Sequence, residues 1–226
     1  MPHSVSQDGF AIVPEVLTPA ECSQFISLLG TMKTAGSRGL LGLHEIRDLA
    51  FSKTILHFLR PHMSTEPFPV RGIYFDKSAE TNWLVTWHQD LTITVKQRHE
   101  SSGFGPWSVK DGMPHVQPPI SILQGMLTIR LHLDDADETN GALRVIPGSH
   151  RFGRLSSDEI QRIAQGRAAV TCSAPQGAAL LMRPLILHAS SRSTSERHRR
   201  VIHLEYACDS LPEGLEWQAV PDHASE

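Results

Sequence analysis

From Val70 onward the chain is written in short runs of strand-forming residues, each closed by Pro, Gly, Asn or Asp, and this texture limits the fold more than any other feature. The runs cover residues 71–75, 83–95, 126–133, 142–146, 178–182 and 200–207. One helical stretch interrupts them, at residues 158–165, where Ser156 can cap and Glu159 stands three residues on. Helices do not alternate with strands, which argues against a doubly wound parallel sheet. The pattern predicts a mainly β fold with flanking helices, a sandwich or jelly roll with a helical side layer.

The helical layer comes first. Thr18-Pro19-Ala20-Glu21 offers an N-cap, a proline at the first helical position and a glutamate placed to complete a capping box. Phe25, Ile26, Leu28 and Leu29 supply an apolar stripe, and Gly30 can end the helix. A second helix is expected over 44–60, with Ile46, Leu49, Ala50, Leu56 and Leu59 inward and Pro61 as the stop. The 226 residues suit one domain over 1–226: a helical flank over about 1–65, a core over about 70–207 and a polar tail over 208–226, with Trp217 on the core's surface. Residues 96–119 are too rich in Gly, Pro and charge for a core strand. A loop of that length, carrying Phe104, Trp107 and His115, is expected to be a lid.

Several function classes fall away. No run of about eighteen apolar residues exists, and the first ten residues lack the features of a signal peptide, so no membrane partner is expected. A net charge of −3 gives no general pull toward nucleic acid. Three scattered cysteines argue against a disulfide framework and a structural zinc site, and favour a reducing, cytoplasmic setting. There is no Gly-x-Ser-x-Gly elbow, no phosphate-binding glycine loop and no His-Glu-x-x-His.

Thirteen histidines are the compositional oddity. In residues 83–95, strand alternation puts His88, Asp90, Thr92 and Thr94 on one face. A His-x-Asp pair on a strand aims an imidazole and a carboxylate at one point. That is two-thirds of the 2-His-1-carboxylate facial triad that leaves iron positions open. His132-Leu133-Asp134 and His203-Leu204-Glu205 share the spacing, so spacing alone does not choose among the three. Asp134 runs into the acidic turn 135–138 and is expected to meet water.

Three further segments accompany Trp87-His88-Gln89-Asp90: the run Asn140-Gly141-Ala142-Leu143-Arg144-Val145-Ile146-Pro147-Gly148-Ser149-His150, the triplet His188-Ala189-Ser190, and Arg199, eleven residues after His188. Together, in this order, they resemble the phytanoyl-CoA dioxygenase family, from about Gly9 to Ala207, including the opening Asp8-Gly9-Phe10. The resemblance implies a double-stranded β-helix (jelly-roll, cupin-like) core. It implies an Fe(II)- and 2-oxoglutarate-dependent dioxygenase that uses O2, hydroxylates an unactivated C–H bond of a small molecule, and releases succinate and CO2. His88, Asp90 and His188 would be the metal ligands. Arg199 would hold the far carboxylate of 2-oxoglutarate through its planar fork, with Ser190 adding a hydroxyl. A carboxylate at Asp90, where related halogenases carry a small residue, favours hydroxylation; desaturation or cyclisation stays open.

Arg200 is the rival of Arg199. Alternation sets Arg199 with Val201, His203 and Glu205, and Arg200 with Ile202, Leu204 and Tyr206; a bulge would exchange them. Arg130 either meets 2-oxoglutarate or substrate, or faces solvent. His203 reads as a satisfied core histidine. Asn140-Gly141 reads as a turn and 147–150 as a structural corner. His150 is set aside as a ligand, because Phe152 and Gln161 stand where the family has Ser and Arg. A CoA thioester would want basic surface for its phosphates, and Arg197-His198-Arg199-Arg200 is the one such cluster, so an amino acid or natural-product intermediate is favoured. Two other readings stay open: a cupin-like metalloenzyme that does not use 2-oxoglutarate, and a non-catalytic jelly-roll binding protein.

Overall fold

A computed structural model describes residues 3–31, 34, 36–212 and 214–218. In chain order the strands are β1 (Phe10–Val13), β2 (Ser37–Arg38), β3 (Phe68–Lys77), β4 (Val85–His88), β5 (Ile93–Thr94), β6 (Trp107–Lys110), β7 (Met113–Val116), β8 (Leu127–His132), β9 (Leu143–Val145), β10 (Val170–Thr171), β11 (Ala179–Met182), β12 (His188–Ser190) and β13 (Arg199–Ala207). The α-helices are α1 (Pro19–Leu29), α2 (His44–Ala50), α3 (Lys53–Leu59), α4 (Ile120–Gly125) and α5 (Ser157–Gly166).

The strands form a six-stranded sheet ordered β1-β11-β8-β13-β3-β2, a four-stranded sheet ordered β10-β9-β12-β4, and a small sheet ordered β5-β7-β6. From β3 to β13 the chain passes back and forth between the two larger sheets, which is the connectivity of a jelly roll. Alternation along the large sheet sorts its side chains. Leu127, Ile129 and Leu131 of β8 and Ile202, Leu204 and Tyr206 of β13 face outward, where they pack with Cys22, Phe25, Ile46, Ile55 and Leu59 of the helical layer. Between the two large sheets lies a smaller apolar cluster of Phe10, Leu143, Val145, Cys172, Leu180, Met182 and Ile186. Most of the rest of the inner face is polar.

Local signals are realised where expected in α1 and α5. Thr18 Oγ1 accepts from the Glu21 amide at 3.2 Å while Glu21 Oε2 accepts from the Thr18 amide at 2.8 Å. Ser156 and Glu159 repeat the arrangement at α5. Four expectations are corrected. The helix expected over 44–60 is two, because Ser52 turns out of α2 and caps α3 by accepting from the Ile55 amide at 3.3 Å. The strand expected over 83–95 is interrupted at 89–92. The segment 96–119 is not one irregular loop: β6 and β7 form a hairpin whose turn residues Asp111 and Gly112 both have positive φ (52° and 75°), the type I′ geometry that suits Asp-Gly. Trp217 does not sit on the surface. It bridges to Val95, donates from Nε1 to Asp209 O at 3.0 Å, and joins Ile93, Phe104, Val116, Leu123 and Met126 in a third cluster.

No helix among the described residues is long and apolar enough to cross a membrane. Because Trp217 is 3% exposed and central to its cluster, Trp217→Ala should cost about 3–5 kcal/mol of stability in urea unfolding. A loss below about 1 kcal/mol would show that the tail only covers the surface.

Candidate functional site

The pairing of β4 with β12 sets His88 directly opposite His188, with ring centroids 4.1 Å apart. Each ring is fixed by the carbonyl two residues before it. His88 Nδ1 lies 2.9 Å from Thr86 O, and His188 Nδ1 lies 2.9 Å from Ile186 O. A carbonyl oxygen only accepts, so each Nδ1 carries the hydrogen and each Nε2 offers a lone pair. Asp90 completes the cluster: Oδ1 is 3.9 Å from His88 Nε2 and Oδ2 is 3.7 Å from His188 Nε2. One ligand atom from each of the three residues lies within 4.8 Å of the others. Two imidazole nitrogens and a carboxylate around an ion at about 2.1 Å would stand about 3 Å apart, a small contraction from what is seen. The donor set is the mixed nitrogen and oxygen set that suits iron.

The protonation states agree. Burial pushes the His188 imidazole down to about 4, leaving it neutral at pH 7. Desolvation works against the Asp90 carboxylate, but the imidazoles of His188, His203 and His88 and the Arg71 guanidinium outweigh it and bring the group to about 2. The side chains of His88 and Asp90 are 38% and 26% exposed against 6% for His188, so the cluster is open on the β4 side.

Asp90 does not reach the cluster by strand alternation, since β4 ends at His88. The residue between them does the work. Gln89 Nε2 donates to Gly153 O and Leu185 O, both at 2.8 Å, and its Oε1 accepts from the Leu155 amide at 2.9 Å. The Asp90 amide then donates to Pro184 O at 2.9 Å. These bonds replace the strand ladder and hold the carboxylate in place.

Beyond the cluster the inner face is basic. Arg199 pairs in register with Lys77, Val201 with His132, and His203 with Arg130. Arg199 donates from Nε to Asn140 O at 3.2 Å, while its buried Nη1 has no partner. Lys77 Nζ donates to Ser190 Oγ and to Ser191 O, both at 2.7 Å, and Ser190 passes its own hydrogen to Gly141 O at 2.7 Å. Gly141 has φ +73°, and a Cβ there would stand 2.5 Å from Ser191 O and 3.1 Å from Lys77 Nζ, so this corner admits only glycine. Arg130 donates from Nη1 to His203 Nδ1 at 2.7 Å and lies over the Phe75 ring; its Nε is buried and unpartnered. Neither ring nitrogen of buried His132 has a partner.

Among the described residues no carboxylate pairs with Arg199, Arg130 or Lys77. Burial, then Arg199, Arg130 and Arg192, push Lys77 down to about 7. Burial, then Arg130, takes Arg199 to about 9, and burial takes Arg130 to about 10. Burial, then the two arginines, holds His132 down at about 3. Unpaired charge in such a place is costly, and the orphaned donors point to a bound anion with several acceptor oxygens.

The remaining candidates separate cleanly. Arg200 faces outward and grips Asp134 with Nε and Nη2 at 2.8 and 2.7 Å, so Asp134 is bound to a guanidinium rather than left to water. Arg130 is buried, not solvent-facing. His203 is satisfied between Arg130 and Glu205. His150 packs against Gly9, away from the three-residue cluster. Ser149 Oγ donates to Ile146 O and accepts from the Leu187 amide, which makes 147–150 a corner brace just before His188. Lys77, Gln89 and Arg71 are not among the site residues that the sequence singles out. Extending the expected strand 71–75 by two residues would have put Lys77 on the face of Arg71 and Phe75.

Residues 5–201 match the model of the phytanoyl-CoA dioxygenase family. The chain belongs to this family. It is 27% identical over 140 residues to L-proline trans-4-hydroxylase of Streptomyces griseoviridis, a match covering 50% of this chain and 52% of the relative, so the match spans about half the length of that protein. The fold is that of AviO1 from Streptomyces viridochromogenes (TM-score 0.67, 19% identity, 92% of this chain and 93% of that one). It is also that of HygX from Streptomyces hygroscopicus, whose structure holds nickel and 2-oxoglutarate (TM-score 0.65, 16% identity, 90% and 84% covered).

Because Gln89 anchors the ligand-bearing turn, Gln89→Leu should weaken divalent-metal binding by about 10–100-fold, the usual effect of losing a support behind a ligand. Metal titration by calorimetry reads this directly, and an unchanged affinity would mean that the turn holds itself.

Proposed function

We propose that this protein is an Fe(II)- and 2-oxoglutarate-dependent dioxygenase that hydroxylates an unactivated C–H bond of a small-molecule metabolite. The observation that carries the reading is a pair of facing imidazoles with free Nε2 atoms and an adjacent carboxylate, set beside buried cations that have no counter-anion among the described residues. His88, Asp90 and His188 would hold the iron. Arg199, with Lys77 and Ser190 beside it, would take the far carboxylate of 2-oxoglutarate, and Arg130 would border the same space. Iron with 2-oxoglutarate and O2 supplies the oxidising power and releases succinate and CO2. The chain's part is to fix the ligands, orient the dicarboxylate and keep the pocket dry.

Family membership and the L-proline hydroxylase among its relatives support this reading, and L-proline is the first compound to try. The cupin-like alternative without 2-oxoglutarate would leave the cations of the floor without purpose. A CoA thioester is disfavoured because the basic run 197–200 is already engaged: Arg197 with Asp137, His198 with Asp76, and Arg200 with Asp134, while Arg199 is buried. The three cysteines are free and buried, in keeping with a reducing, cytoplasmic setting.

Anaerobic protein mixed with Fe(II) and 2-oxoglutarate should show a weak visible charge-transfer band. The band should vanish in His88→Ala. In Arg199→Ala, 2-oxoglutarate should bind roughly ten- to a hundredfold more weakly, the scale of a hydrogen bond to a charged group. Iron binding without any band would favour the cupin-like alternative, and no iron binding would sink the enzyme reading.

Lys77 adds a pH dependence. Below about pH 7 both free and loaded protein keep its proton, and affinity for 2-oxoglutarate is at its full value. As pH rises through 7 the free protein loses a proton that a bound carboxylate would retain, so affinity falls. The dissociation constant should therefore climb between about pH 7 and 9 in the native protein and less steeply in Lys77→Met. A flat native profile would remove Lys77 from the binding site.

A further inference from the structure

His132, the last residue of β8, is a buried imidazole with nothing to bond to: it is 2% exposed, and neither ring nitrogen has a partner among the described residues. Strand register fixes its company on the inner face. Arg130 lies two residues before it on β8, Val201 stands opposite on β13, and Arg199 is the inward residue before Val201. Arg199 pairs in turn with Lys77 of β3. Lys77 Nζ donates to Ser190 Oγ at 2.7 Å, and Ser190 lies two residues after the candidate ligand His188 on β12. A row of paired and bonded residues thus joins His132 to the metal cluster.

The chemistry of the ring narrows what can sit there. Burial, then Arg130 and Arg199, hold it down at about 3, so at pH 7 one nitrogen carries a hydrogen and the other a lone pair. Donors are plentiful around it, since Arg130 Nε and Arg199 Nη1 are both buried without partners. An acceptor is what this corner lacks. Val201 and Ala178, its neighbours on either side, have buried apolar side chains, and the Ala178 carbonyl already accepts from the His132 amide at 2.9 Å. A water would accept a hydrogen bond but leave two guanidinium charges buried and unanswered. A carboxylate supplies the acceptor oxygens and the missing negative charge together.

We propose that His132 is a co-substrate-binding residue, donating its ring hydrogen to the far carboxylate of 2-oxoglutarate beside Arg199. The proposal rests on the dioxygenase reading and adds a neutral donor to it. The guanidiniums supply the charge, and the imidazole fixes the direction in which the carboxylate lies between them.

The test uses full-length protein loaded anaerobically with Fe(II) and compares 2-oxoglutarate with 2-oxopentanoate, which keeps the 2-oxo acid and lacks the far carboxylate. Calorimetry gives both affinities. In His132→Leu the dissociation constant of 2-oxoglutarate should rise about tenfold or more, the scale of a hydrogen bond to a charged group, while that of 2-oxopentanoate stays unchanged. His132→Gln, which keeps a donor, should recover part of the loss. A second measurement needs no variant. In native protein with Zn(II) in place of iron and isotopically labelled histidine, 2-oxoglutarate should bring out one exchange-protected imidazole N–H in nuclear magnetic resonance spectra that 2-oxopentanoate does not. Equal weakening of both acids in His132→Leu, or an unchanged 2-oxoglutarate affinity, would overturn the proposal, as would the absence of that N–H signal. If the native protein binds neither acid, the dioxygenase reading falls and takes this proposal with it.

Discussion

The antiparallel contact of β4 with β12 is the constraint on which the site depends. It joins residues a hundred positions apart in sequence and sets two imidazoles face to face. No local signal creates it. The jelly roll does, by closing the large sheet with β13 between β3 and β8 and so bringing the four-stranded sheet over it. Each histidine then needs only the carbonyl two residues before it to point its free nitrogen inward. The third ligand needs a different device, because a ladder would not deliver it: Gln89 fastens the chain to three backbone groups on two other loops.

The inner face is split between two kinds of energetics. At one side Phe10, Leu180, Met182 and their neighbours bury apolar area in the ordinary way. At the other, four cationic or basic side chains are buried beside one another, and the molecule carries this cost because the helical layer and the outer cluster supply the stability. Buried polar groups without partners are rare in folded proteins, and here Arg130 Nε, His132 Nδ1 and Nε2 and Arg199 Nη1 place four of them on one surface.

Alternation was legible in the sequence wherever a strand proved regular. β13 runs nine residues, so Arg199 lands inward and Arg200 outward as expected. Along 83–95 the same rule misled: Asp90 reaches the cluster through a turn braced by a buried glutamine, and a glutamine side chain gives no advance notice of tertiary partners. The Asp111-Gly112 turn was readable as a hairpin signal but was hidden by the Gly and Pro around it. His132 shares the face of Arg130, and the sequence leaves that face open between water and a pocket, since Leu131 and Leu133 look the same in either case. Trp217 belongs to the same class, its burial decided by a bridge to Val95 that only the folded chain reveals.

The unpaired cations of the floor have a consequence beyond recognition. Arg199, Arg130 and Lys77 repel one another when nothing lies between them. Any dianion that fits relieves that repulsion only in the folded state, and a ligand that binds only the folded state shifts the folding equilibrium by mass action. Proteases act on the unfolded fraction, so a compound that filled this pocket would also slow the protein's degradation.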